Sequence, residues 1–239
     1  MEGLTGTIAR VRQNEASDAI AAIRRDGVAI IDQAWPEDRI AEIADALAAR
    51  HPEYLDGGQA FPADSFEVGG GRFTAPLIFT PPFDCTDILL HPALVEVFSA
   101  LLGPDFVFEA FGVICARPGA EEQHIHRDGG LVFEGTGIEV VLPPVALTFA
   151  IPLVTQDAET GMTAFWPGSH RQIEKPGEEG GISACLPRGS CALWDFRVRH
   201  RGLANRTDHT RPLLYATACR PFWIDHKNFV AGRNAKLIA

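Results

Sequence analysis

Apolar residues recur at helical spacing in three stretches of the N-terminal half of the chain. Residues 17–25, 35–50 and 94–102 place isoleucine, leucine, valine and alanine three and four positions apart. The pair Asp26-Gly27 ends the first stretch, as glycine does after many helices. A short apolar run at residues 28–31 is typical of a buried strand. The pattern predicts three helices and one strand before residue 104.

Residues 51–72 break this periodicity. They contain many glycine, proline and aspartate residues, including Gly69-Gly70-Gly71, and have no steady hydrophobic period. Strand-like sequence resumes at Phe73. A stretch of this length inside a domain predicts a long functional loop rather than a linker.

From Phe106 onward the pattern changes to short strand-like segments separated by turn signals. The segments are 106–117, 122–128, 145–154, 162–166, 183–187, 190–196 and 212–220. Helices followed by strands, without β-α-β alternation, favour a mainly β fold of the α+β type. We predict a double-stranded β-helix, a jelly roll of cupin type, with the N-terminal helices packed on it. The predicted domain is single: a helical cap and loop region at about 1–104, a core at 105–223 and a tail at 224–239.

Composition narrows the classes of partner. The 239 residues carry a formal net charge of −10, which disfavours nucleic acid because phosphate binding needs a cationic surface. No apolar run approaches the roughly 18 residues of a membrane helix, and the N-terminus lacks the features of a signal peptide. We therefore expect a cytoplasmic protein without a membrane partner. Five scattered cysteines without a CxxC pair argue against a disulfide framework and a thiolate zinc site.

The segment His126-Arg127-Asp128 carries the first candidate chemistry. On a strand, side chains two positions apart point from the same face, so His126 and Asp128 would project together. Such a pair is two thirds of a 2-His-1-carboxylate iron site. A second match, His51-Pro52-Glu53, lies where a helix ends and has a proline between its polar residues, so we interpret it as a chance match.

Two more residues, which come later in the chain, complete the candidate site. His200 follows the predicted strand 190–196 and precedes a turn, a position from which it can reach the mouth of a barrel. Arg211 comes eleven residues later, so one turn and one returning strand would bring it near His200. Its guanidinium could hold a dicarboxylate through two parallel hydrogen bonds.

With these residues, the chain resembles the phytanoyl-CoA dioxygenase group of Fe(II)- and 2-oxoglutarate-dependent oxygenases. Residues 161–170 are similar to the NG-x-T…PGSH signature of that family, with Thr160 in place of its asparagine, and 200–205 match HRG-x-x-N. The resemblance implies that His126, Asp128 and His200 bind Fe(II). It also implies that Arg211, Gln123 and Thr163 contact the cosubstrate 2-oxoglutarate, and that O2 is the second cosubstrate.

The implied function is oxidation of a small organic substrate with release of succinate and carbon dioxide. Two alternatives stay open: a non-catalytic cupin-like metal-binding protein, and a zinc-type metal hydrolase. Arg211 argues against the first, because metal storage needs no dicarboxylate clamp. The absence of an evident general base argues against the second. His124 shares the predicted strand face of His126 and could either line the pocket or face outward, whereas Trp166 and Trp194 are expected in the core.

Overall fold

The computed structural model describes residues 7–58, 60–84, 86–174, 177–179 and 181–223. The helices are α1 (Ala16–Asp26), α2 (Glu37–Arg50), α3 (Pro52–Leu55), α4 (Thr86–Leu89) and α5 (Pro92–Leu102). The strands are β1 (Ala9–Arg12), β2 (Val28–Asp32), β3 (Phe66–Glu67), β4 (Arg72–Pro76), β5 (Val107–Ala116), β6 (Ala146–Pro152), β7 (Thr163–Phe165), β8 (Ile182–Ser183), β9 (Cys191–Asp195), β10 (His200–Gly202) and β11 (Arg211–Cys219).

These strands form two sheets that face each other. The larger sheet has the order β1-β2-β9-β6-β11-β5-β4-β3, and the smaller has the order β10-β7-β8. Phe165 of β7 packs against Trp194 of β9 across the space between the sheets, with ring centroids 5.4 Å apart. Two opposed, largely antiparallel sheets are the architecture of a jelly roll, as predicted.

The two faces of the larger sheet have different roles, and β11 illustrates the division. Leu214, Ala216 and Ala218 point into the main hydrophobic core, which they share with buried residues of α1, α2 and α5. The alternate residues Leu213 and Tyr215 point toward the smaller sheet instead. Because side chains alternate along a strand, one face of this sheet packs on the helices while the other is available to line a site.

The predicted helices are confirmed. The helix α1 ends as expected at Gly27, whose φ of 80° is left-handed and whose N–H bonds the carbonyl of Ile23. A Cβ at this position would lie 2.3 Å from the side chain of Val198, so both conformation and packing require glycine. Among the described helices, none is long and apolar enough to cross a membrane.

Two predicted segments differ from the structure. Residues 51–72 were predicted as a loop, but they include α3 and β3, and β4 begins at Arg72 and pairs with β5 along five residues. The apolar residues of β4, Phe73 and Ala75, are buried and too few to give a clear sequence period. Residues 122–128 were predicted as a strand, yet they make only one isolated bridge, at His126.

The predicted division near residue 104, between a helical cap and a β core, does not separate the helices from the strands. Strand β2 precedes it and pairs with β9, and β4 precedes it and pairs with β5. The N-terminal region therefore contributes strands to both edges of the larger sheet as well as helices. The predicted tail, 224–239, lies outside the described residues.

Candidate metal centre and active site

A backbone bridge, rather than a shared strand, brings the candidate ligands together. The N–H of His126 donates to the carbonyl of His200, and the N–H of His200 donates to the carbonyl of His126, each over 3.0 Å. The two rings consequently lie with their centroids 4.5 Å apart. The prediction of a strand through this segment was wrong, but the bridge to β10 produces the predicted juxtaposition.

Both imidazoles present the same nitrogen to the site. Nδ1 of His126 bonds the carbonyl oxygen of His124 over 2.9 Å, and Nδ1 of His200 bonds that of Val198 over 3.0 Å. Because a carbonyl only accepts hydrogen bonds, each Nδ1 carries a proton, so that Nε2 is the nitrogen on which each ring, when neutral, has its lone pair. Backbone contacts of this kind orient histidines for metal binding.

Asp128 is oriented through one of its two oxygens. Oδ2 accepts hydrogen bonds from Thr148 Oγ1 at 2.9 Å and from Trp194 Nε1 at 2.8 Å. Oδ1 lies 3.3 Å from Nε2 of His200. Burial by itself would raise the pKa of Asp128, but His200 and His126 together with the Thr148 hydrogen bond outweigh it and lower the pKa to about 2.

The three side chains fit a metal ion. One ligand atom from each of His126, Asp128 and His200 lies within 4.8 Å of the others. In the described part of the chain, no other set of three or more histidine, cysteine, aspartate or glutamate side chains is grouped in this way. Burial, and then the neighbouring His200, lower the pKa of His126 to about 4, so its ring is neutral at pH 7. Two imidazoles and one carboxylate form the donor set typical of non-haem Fe(II).

Thr148 and Trp194 were not predicted as functional residues. Trp194 was expected in the core, and it does pack there, but its indole N–H also fixes the carboxylate of Asp128. These contacts depend on the cross-strand register between β6 and β9, which pairs Thr148 with Trp194. No local sequence pattern encodes that register.

We expect Thr148→Val to weaken Fe(II) binding by about 10- to 100-fold, because it removes a hydrogen bond that orients a metal ligand while preserving shape. Anaerobic calorimetric titration with Fe(II) measures the effect. Thr74→Val is the matched control, since Thr74 also lines the cavity but its hydroxyl donates to the hydroxyl of Tyr215 rather than to a metal ligand. Equal affinities in wild type and Thr148→Val would show that the threonine does not support the ligand.

The candidate ligands lie on the wall of a large cavity between the two sheets. Its volume is about 580 Å³, within the range of small-molecule sites. All six predicted site residues line it: His126, Asp128, His200, Arg211, Gln123 and Thr163. His124 also lines the cavity, with an exposed side chain and its ring centroid 5.4 Å from that of His126. His51, in contrast, pairs with Glu53 at the junction of α2 and α3, as expected for a chance match.

Two buried arginines share one end of this cavity. Arg211 and Arg72 flank Ala116 of β5 from opposite sides, and each is only 1% exposed. Burial, followed by the charge of Arg72, lowers the pKa of Arg211 to about 9, and burial lowers that of Arg72 to about 10. Within the described residues, neither arginine forms an ion pair, and the Nε atoms of both are buried without a hydrogen-bond partner. Buried charge without a counter-charge is costly, so this end of the cavity is suited to an anion.

Arg72 was missed by the sequence interpretation. It was placed at the end of a predicted loop, whereas it is the first residue of β4. One of its Nη atoms donates to the carbonyl of Leu203 at 2.9 Å and to that of Glu121 at 3.2 Å, which holds it in the cavity wall. The available signal was a basic residue directly before the alternating run Phe73-Thr74-Ala75.

Gln123 and Thr163 lie beside the arginines, on either side of Gly202. Oε1 of Gln123 accepts a hydrogen bond from the N–H of Gly202 at 2.9 Å, and its Nε2 donates to the carbonyl of Val68. Thr163 is paired with Gly202 in the register of β7 and β10. A Cβ on Gly202 would lie 2.7 Å from both Oε1 of Gln123 and Nη1 of Arg72, so glycine permits this close approach.

Comparisons with known proteins agree with this geometry. The family model described as phytanoyl-CoA dioxygenase (PhyH) matches residues 23–213. The multifunctional dioxygenase ausE of Aspergillus calidoustus is 28% identical over 89% of this chain and 78% of its own length. The dioxygenase FrzG of Cladobotryum sp. is 24% identical over 83% and 72%.

Two solved structures share the fold. The epimerase SnoN, in complex with Fe3+, alpha ketoglutarate and nogalamycin RO, has a TM-score of 0.65 and 19% identity, over 92% of this chain and 91% of its own. HygX from Streptomyces hygroscopicus, with nickel, 2-oxoglutarate and hygromycin B bound, has a TM-score of 0.67 and 11% identity, over 88% and 89%. At these identities the likeness concerns the fold, while the family model covers most of the sequence. The chain therefore belongs to the phytanoyl-CoA dioxygenase family.

Proposed function

We propose that the protein is an Fe(II)- and 2-oxoglutarate-dependent dioxygenase that oxidises a small organic substrate with release of succinate and carbon dioxide. The observation that carries this proposal is one cavity that holds both a 2-His-1-carboxylate cluster and two buried arginines that form no ion pair with any described residue. The first suits Fe(II) and the second suits a dicarboxylate.

In this proposal His126, Asp128 and His200 hold the iron, which with 2-oxoglutarate supplies the activation of dioxygen when bound. The chain prepares these ligands in advance. Asp128 is kept ionised, and the backbone hydrogen bonds of Nδ1 leave Nε2 of both histidines available to the metal. Enclosure between the two sheets limits water around the reacting groups.

The cosubstrate contacts follow from charge and position. Arg211 offers a desolvated guanidinium that can donate two parallel hydrogen bonds to a carboxylate. Arg72 adds a second positive charge beside it. Thr163 and Gln123 border the same end of the cavity, and one N–H of the Gln123 amide remains beyond its bond to Val68. Neither metal storage nor hydrolysis requires two adjacent arginines at one end of the cavity.

The test is an anaerobic titration of the Fe(II)-loaded protein with 2-oxoglutarate. We expect a visible absorption band from 2-oxoglutarate bound to Fe(II), and then succinate release in air across a library of small metabolites. Protein loaded with Zn(II) is the control and should give neither signal. A protein that lacks the band with Fe(II) but hydrolyses test esters with Zn(II) would be a metal hydrolase instead.

A further inference from the structure

The mouth of the cavity lies between the edges of the two sheets. Strand β3 is one edge of the larger sheet, and the segment from Gln123 to His126 runs along the outer edge of β10 in the smaller sheet. The side-chain amide of Gln123 donates to the carbonyl of Val68, which joins these two edges beside the arginine end. The next residue, His124, lines the cavity and is exposed. It therefore lies where the cavity meets the solvent.

The backbone of His124 holds its ring close to a metal ligand. Its carbonyl oxygen accepts the hydrogen bond from Nδ1 of His126, and the centroids of the two rings lie 5.4 Å apart. Within the described part of the chain, the imidazole of His124 has no hydrogen-bond partner. The neighbouring Gln123 side chain, in contrast, bonds the backbone of Val68 and of Gly202. The ring nitrogens of His124 are consequently available to a ligand in the cavity.

The wall of the cavity away from the arginines is mostly apolar. It includes Pro76, Ala110, Phe111 and Phe196. Ala110 pairs with Thr217, which is six residues after Arg211 on β11, or roughly 20 Å along an extended strand. Glu109 also lines this end, but it already has an interaction partner. This end is left for the substrate when 2-oxoglutarate occupies the arginine end, and its wall suits an apolar body.

A substrate that enters through this mouth displaces water from the ring of His124. A polar group that loses water without gaining a hydrogen bond costs free energy, so such a site discriminates against a ligand that offers no partner. An imidazole carries an N–H donor whether it is neutral or protonated. The complementary group on the substrate is therefore an acceptor oxygen.

We infer that His124 binds the substrate through such an oxygen, and that the substrate is a mainly apolar compound that carries a carbonyl or hydroxyl group. This inference rests on the proposed function, because it assigns the arginine end of the cavity to 2-oxoglutarate. The ring of His124 donates a hydrogen bond to the oxygen, while the apolar body lies along Ala110 and Phe196. The oxygen is thereby held beside His126, so that the oxidised carbon lies a few bonds away from it.

Matched probes test this inference without knowledge of the natural substrate. In the pair 4-phenylbutan-2-one and (3-methylbutyl)benzene, a methyl group replaces the carbonyl oxygen, and 4-tert-butylcyclohexanone and 1-tert-butyl-4-methylcyclohexane form a second, bulkier pair. Binding of each probe to the Fe(II)–2-oxoglutarate protein is measured anaerobically by calorimetry. The quantity compared is the affinity for the ketone divided by that for its hydrocarbon, since this ratio in wild type relative to a variant cancels the difference in hydration between the two probes.

We expect His124→Leu to lower this ratio by about fivefold in at least one pair, the size of effect that one neutral hydrogen bond gives. His124→Gln retains an N–H donor and should keep most of the wild-type ratio. Glu67→Gln is the matched control, because Glu67 is also exposed and lines the cavity, but on β3. It should change the ratio by less than about twofold.

Three results would overturn the inference: no binding of either ketone to the wild type, an unchanged ratio for both pairs in His124→Leu, or an equal loss in His124→Gln. Iron content should stay at the wild-type level in both His124 variants, because the carbonyl that bonds His126 belongs to the backbone. The absorption band with 2-oxoglutarate is measured on the same samples. Its absence from the wild type would contradict the proposed function rather than the role of His124.

Discussion

Replacement of His200 by alanine is expected to abolish Fe(II) binding and succinate release together. The side chain supplies one of the three proposed ligands, and two remaining ligands do not make a stable facial site. Loss of hydrogen-bonding partners around a metal ligand already costs roughly 10- to 100-fold in affinity, so loss of the ligand itself should exceed about 100-fold. His126→Ala and Asp128→Ala should behave in the same way. Iron content after anaerobic loading and desalting measures the effect.

The matched control is His209→Ala, because His209 is an exposed histidine seven residues after β10 ends. It should retain wild-type iron content and activity. The three ligand variants should keep their far-ultraviolet circular dichroism, since the main hydrophobic core lies on the opposite face of the larger sheet. Near-stoichiometric iron in two of the three ligand variants would refute the assignment of the triad.

The sequence was sufficient where a structural feature is local. Strands β5, β6, β9 and β11 are long apolar runs, and the structure places each within two residues of its predicted bounds. The helix α1 was predicted together with its end, because Gly27 can adopt a left-handed conformation that other residues avoid. Such features depend on residues only a few positions apart.

The remaining features depend on strand register, which the sequence does not encode locally. Thr148 supports Asp128 because β6 pairs with β9 in one register, and a shift by one residue would turn it to the opposite face. The triad itself was predicted for a partly wrong reason, since His126 pairs with His200 through an isolated bridge rather than within a strand. Motif spacing therefore located the ligands, while their supporting residues required the pairing of the sheets.

Replacement of Arg211 by alanine is expected to raise the KM for 2-oxoglutarate by about 30- to 1,000-fold, with little change in Fe(II) affinity. Truncating one partner of a buried, hydrogen-bonded charge pair costs roughly 2–4 kcal/mol, which corresponds to that range. The iron ligands should be unaffected, because in the described residues Arg211 makes no hydrogen bond to any of them. Succinate release as a function of 2-oxoglutarate concentration measures KM, and calorimetry measures Fe(II) binding.

A cosubstrate analogue makes this prediction specific to the distal carboxylate. 2-Oxovalerate has the same chain length as 2-oxoglutarate but ends in a methyl group, so wild-type protein should bind 2-oxoglutarate far more tightly, and Arg211→Ala should lose most of this preference. Arg206→Ala is the control, because Arg206 is exposed and its side chain bonds only the backbone of Ala158 among the described residues.

The melting temperature gives an independent measurement of the role of Arg211. Without 2-oxoglutarate, Arg211→Ala should melt no lower than wild type, because it removes a buried charge that forms no ion pair with any described residue. The stabilisation by 2-oxoglutarate should largely disappear in this variant. If Arg211→Ala kept both the preference and the stabilisation, Arg72 rather than Arg211 would hold the distal carboxylate.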